Sequence, residues 1–61
     1  MKSTDYIFIN KYNKTFPFGV EYYTKNNGVL GVEYMGFPSI SEAIKFIENS
    51  ELSFYNQKNN D

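Results

Sequence analysis

Glu21 and Glu33 are the residues whose placement first suggests chemistry. Each sits in the tetrapeptide Gly-Val-Glu-Tyr, at residues 19–22 and again at residues 31–34. A carboxylate pair held roughly 5–9.5 Å apart is the acid–base equipment of glycoside hydrolysis. The other candidates are weaker. Ser39 and Ser41 have no histidine to activate them, and their position before an apolar run suits them better to helix capping. A domain this small also has little room for a ligand pocket of several hundred Å³. The expectation is a protein that is not an enzyme, with no catalytic residue, cofactor or metal.

Composition supports that expectation. The chain has 61 residues, a formal net charge of −1, and no Cys, His or Trp. Its six cationic residues are all lysine. Without Cys or His the common zinc, iron–sulfur and haem ligand sets cannot be assembled, and no disulfide can staple the fold. A chain of this length buries only about 60% of its unfolded surface, so a lone monomer is marginal. With disulfides and metals unavailable, self-association becomes an expected source of stability, a dimer above all. The six Tyr and six Phe, 20% of the chain, exceed what one small core needs, since each can bury roughly 150–250 Å².

The elements that must position these residues are readable in outline. Tyr6 to Tyr12, Phe18 to Thr24 and Val29 to Met35 are rich in β-branched and aromatic residues and read as three strands. Asn13-Lys14-Thr15 and Lys25-Asn26-Asn27-Gly28 supply the turns between them. Asn13-Lys14-Thr15 also fits a glycosylation sequon, a match of no weight without a secretory signal. Ser39-Ile40-Ser41-Glu42 is a capping box, and Ile40, Ala43, Ile44 and Ile47 follow as one apolar stripe. A helix of about ten residues results, too short to stand alone. Leu52 and Phe54 either close the core or start a short fourth strand.

The expected fold is therefore α+β: a two-layer, three-stranded antiparallel meander in β-β-β-α order, with one helix on one face. Residues 1–55 form the single domain and residues 56–61 a polar tail. A three-residue loop, Asn26-Asn27-Gly28, sets Val20 opposite Tyr34, Tyr22 opposite Val32 and Thr24 opposite Leu30, all on one face. Phe18, Val20, Tyr22, Leu30, Val32 and Tyr34 then line the helix-covered side. Ile7 and Ile9 are expected to join them, although a one-residue slip would exchange them with their neighbours.

That arrangement leaves Tyr6, Phe8, Tyr12, Glu21, Tyr23, Glu33 and Met35 on the opposite face, with Gly19 and Gly31 forming a shallow trough between them. Aromatic and methionine side chains of this kind are enriched in protein interface cores. These seven residues are the expected partner-binding surface. Glu21 and Glu33 suit a protein that competes for a basic surface on its target, or else simply keep the strand face soluble.

Nucleic acid is disfavoured as a partner, because affinity there depends on cationic contacts to phosphate and this chain is slightly acidic and lacks arginine. No apolar run approaches the ~20 residues of a membrane span, and Tyr6 to Ile9 is too short for a signal-peptide core, so cytoplasmic location is the default. Lys, Asn, Ile, Tyr and Phe all have A/T-rich codons, which suits a low-GC bacterium or its phage. The functional expectation is a small protein-binding module, a phage or mobile-element accessory protein that binds and inhibits a host or defence protein through its aromatic and acidic sheet face. Two alternatives stand beside it: single-stranded nucleic-acid binding by sheet aromatics, and a structural homo-oligomeric subunit.

Overall fold

A computed structural model describes residues 2–57. The chain enters through a short 3-10 turn, Ser3–Tyr6, and continues as β1 (Ile7–Ile9), β2 (Phe18–Asn26), β3 (Val29–Phe37), α1 (Ile40–Glu48) and β4 (Ser53–Phe54). The β-β-β-α order and the short final strand match the sequence reading. Every strand pairing is antiparallel, and β2 is central. β3 runs along one side of β2. β1 and β4 share the other side, β1 against Phe18–Val20 and β4 against Tyr22–Tyr23.

β1 is shorter than the expected strand, Tyr6 to Tyr12, because asparagine side chains divert the backbone at its end. Asn10 Oδ1 accepts from the Tyr12 N–H at 3.0 Å, and Asn13 Oδ1 accepts from Thr15 and Phe16 N–H at 3.2 and 2.9 Å. Such local bonds offer the chain an alternative to the ladder. The Asn10 N–H then donates to the Pro17 carbonyl at 2.7 Å and closes the connection to β2.

The β2–β3 hairpin corrects the expected register. Asn26 faces Val29, so the loop has two residues, Asn27 and Gly28, with φ of +54° and +81°. Both central residues at positive φ define the type I′ turn, whose twist matches the flanking strands and for which Asn-Gly is the strongest short signal. Turn chemistry therefore overrides the tidier hydrophobic pattern of a three-residue loop. Tyr22 lies opposite Glu33, Val20 opposite Met35 and Phe18 opposite Phe37.

α1 begins at Ser39, whose Oγ accepts from the Glu42 N–H at 3.3 Å, the Ser39 half of the expected capping box. At the other end Asn49 Nδ2 donates to the Lys45 carbonyl at 2.9 Å. The helix buries Ala43 and Ile47 towards the sheet, where Val20 is fully buried. Its apolar stripe is rotated from the expected one: Ile40 is 43% exposed and Phe46 turns inward. The Phe46 ring lies 5.2 Å from Phe37, 5.8 Å from Phe54 and 6.0 Å from Tyr22, centroid to centroid. These separations are those of favourable aromatic pairs. The cluster identifies which side of the sheet the helix covers, and Phe54 shows what β4 contributes to it.

Helix and hairpin differ in reach. Nine helical residues span ~14 Å, whereas nine strand residues span ~30 Å. The helix covers the Phe18–Tyr22 and Phe37 end of the hairpin. Towards the turn, Val29, on the helix side, is 67% exposed.

Candidate functional site

Residues directly opposite one another in a sheet share a face, and successive residues alternate. With Phe18, Val20 and Tyr22 beneath the helix, the uncovered face carries Gly19, Glu21, Tyr23 and Lys25 of β2. Their partners across the hairpin are Gly36, Tyr34, Val32 and Leu30, and β1 adds Phe8, opposite Gly19. The apolar members other than Phe8 are well exposed: Tyr23 40%, Tyr34 47%, Val32 58% and Leu30 72%.

The expected trough is absent from this face, for two reasons. Gly31 is on the helix side, where a Cβ would stand 3.3 Å from Thr24 Oγ1. Gly19 is paired with Gly36 instead, and the space above both is filled. A Cβ on Gly19 would lie 2.7 Å from Phe8 Cζ and 2.8 Å from Tyr34 Cε2, while one on Gly36 would meet Phe16 Cβ at 3.0 Å. The glycines let these rings settle onto the backbone, producing an aromatic patch continued by Val32 and Leu30 towards the hairpin turn.

Of the residues singled out in the sequence, Phe8, Glu21 and Tyr23 are brought together here. Glu33 and Met35 are not. They face the helix side, opposite Tyr22 and Val20, because the shorter loop shifts β3 by one residue and so reverses its faces. For the same reason Leu30, Val32 and Tyr34, expected in the core, lie on the uncovered face. Tyr6 belongs to the 3-10 turn and packs against Phe54 at 5.9 Å. Tyr12 stands apart in the β1–β2 loop, 96% exposed. Ile7 and Ile9 share the helix side with Val20 and Phe18 as expected, yet Ile9 is 67% exposed, at the margin of what is covered.

The electrostatics change with the register. Glu21 and Lys25 are the charged residues that β2 contributes to the uncovered face, and β3 contributes none. Glu21 is part-buried, and its Oε1 accepts from Gln57 Nε2 at 2.7 Å. Gln57, counted with the polar tail, is thereby tied to the fold, and its N–H also donates to the Asp5 carbonyl at 2.9 Å. Residues 58–61 of that tail lie outside the described residues. Glu21 and Glu33 sit on opposite faces of the sheet, so their carboxylates cannot converge on one substrate atom.

Among the described residues there is no ligand-sized cavity and no group of three or more side chains placed to hold a metal ion. No described helix is long and apolar enough to cross a membrane. No family model, curated protein or solved structure matches the chain.

Proposed function

We propose that this chain is a non-enzymatic protein-binding module whose recognition surface is the uncovered sheet face. The observation that carries this reading is the unbroken apolar row of Tyr34, Val32 and Leu30 on one side of β3, flanked by Phe8 and Tyr23. Contiguous exposed apolar patches on small domains mark interaction sites, and tyrosine at the centre of such a patch is a recurrent source of binding energy. The face is aromatic and aliphatic more than acidic, which favours an apolar surface on the partner over a basic one. Small size and the prevalence of residues with A/T-rich codons fit an accessory protein of a phage or mobile element that acts by occluding a host or defence protein.

The test is comparative capture from a host lysate, followed by titration calorimetry with the purified partner. The double variant Leu30→Ser/Val32→Ser changes two exposed side chains and should keep the native circular dichroism. A loss of about tenfold or more in affinity is expected, the scale of a hot-spot truncation. Undiminished affinity in that variant would contradict the assignment. Tyrosine fluorescence quenching by single-stranded oligonucleotides, reversed by salt, would favour a nucleic-acid-binding protein instead.

A further inference from the structure

The free edge of β3 presents backbone groups with no partner among the described residues. In a two-residue hairpin the residues flanking the turn form a hydrogen-bonded pair, and such pairs recur at every second position. Val29, Gly31, Glu33, Met35 and Phe37 therefore direct their N–H and C=O groups towards β2. Those of Leu30, Val32, Tyr34 and Gly36 point away from the sheet. The Tyr55 N–H donating to the Glu21 carbonyl at 2.8 Å, on the far side of β2, agrees with this phase.

We propose that this edge pairs antiparallel with the same edge of a second copy, with Val32 on the twofold axis. Natural sheets protect exposed edges with lysine, proline or a bulge. β3 has none of these: its nine residues contain one charge, Glu33, and pair one-to-one with β2 throughout.

The sequence of the strand selects both the occupant and the register. With Val32 on the axis, Val32 faces the partner's Val32 and Leu30 faces the partner's Tyr34, so every outward group from Leu30 to Tyr34 is bonded, in about six hydrogen bonds. Glu33 then faces the partner's Gly31, which has no side chain to crowd it. Moving the axis to Glu33 would set two carboxylates directly opposite, a destabilising pair. Placing it on Tyr34 would match Leu30 with the partner's Pro38, which has no N–H to donate. Placing it on Gly31 would run the pairing into the hairpin turn. The strand is thus self-complementary in one register.

The resulting dimer is a continuous sheet with both helices on one side and both aromatic faces side by side on the other. Only the Leu30–Tyr34 edge is engaged, so the interface is expected to fall below the roughly 1,200–2,000 Å² typical of stable complexes and the association to be weak, in about the micromolar range.

Sedimentation velocity across that range, together with amide hydrogen exchange, tests the proposal on the unmodified chain. A monomer–dimer equilibrium is expected, with exchange at Leu30, Val32 and Tyr34 slowing steeply as concentration rises, and far more than at Gly31, whose amide is already bonded to β2 and gains only the stability that association lends the whole fold. Chemical synthesis with N-methyl-Val32 removes one outward N–H and leaves the β2 ladder intact. This variant should stay monomeric with unchanged circular dichroism. Val32→Lys, which opposes like charges on the axis, should do the same. A monomer at every concentration overturns the proposal, as does a dimer that persists in both variants. Slowed exchange of these amides only when a foreign partner is added would also overturn it, assigning the edge to that partner. Neither readout depends on partner capture, and N-methyl-Val32 alters the edge without changing any side chain of the recognition face, so the edge and the recognition face can fail separately.

Discussion

The Phe8 and Tyr34 rings meet above Gly19, with centroids 5.6 Å apart and planes inclined by 40°. This contact joins a residue of the short first strand to one of the hairpin edge across the central strand. It exists because Gly19 has no side chain. Phe8 and Tyr34 are thereby held on the uncovered face as a unit.

Gly19→Ala should separate that unit. A Cβ placed less than 3 Å from both rings requires them to move, and Tyr34, already half exposed, has room to swing outward. A loss of about 1 kcal/mol is expected, at the mild end of overpacking. Urea denaturation would measure it, and weakened cross-peaks between the two rings would show the separation.

The Asn27-Gly28 turn carries the register. Gly28→Ala places a Cβ at a φ of +81° and should cost about 1–2 kcal/mol, the left-handed penalty. Asn27→Gly, which remains compatible with the turn, should change stability far less. Equilibrium unfolding of the two variants side by side gives the comparison.

Phe46 holds the helix to the sheet through Tyr22, Phe37 and Phe54. Its truncation in Phe46→Ala is expected to cost about 3 kcal/mol, the lower end of the range for a large aromatic because Phe46 is only partly buried. That is comparable with the few kcal/mol that a scaffold of this size has in total. The variant should therefore be largely unfolded at 37 °C by circular dichroism. Ser39→Ala, which removes only the cap to Glu42, should cost about 1 kcal/mol and leave the chain folded.

Much of the fold was legible from local signals, and the face assignments were legible only for β1 and β2. The asparagine turns, the Ser39 cap and the alternation in Phe18 to Thr24 each act over a few residues, and each is present. Phe8, Glu21 and Tyr23 accordingly lie on the side that their alternation predicts. β3 was reversed because its pattern fits either loop length: Leu30, Val32 and Tyr34 make an apolar face as convincing as any core face. What decides is the energetic preference for Asn-Gly as a type I′ turn, a signal present in the sequence that prevails over the hydrophobic pattern. The glycines misled for a related reason. A glycine in a strand indicates that something approaches closely, and at Gly19 that something is the protein's own Phe8 and Tyr34. Phe46 lay outside the expected helical stripe because the aromatic cluster it joins depends on β4, which adds Phe54 from the far end of the chain.

The face that carries the proposed recognition surface depends on this register alone, so the most direct test is the pattern of Hα–Hα contacts across the hairpin. In antiparallel strands the non-hydrogen-bonded pairs bring Cα atoms to about 4.5 Å and give strong signals. Nuclear Overhauser spectra should connect Glu21 with Tyr34 and Tyr23 with Val32, as the observed pairing requires. Contacts between Tyr22 and Val32 and between Val20 and Tyr34 would contradict the account, returning Leu30, Val32 and Tyr34 to the helix side.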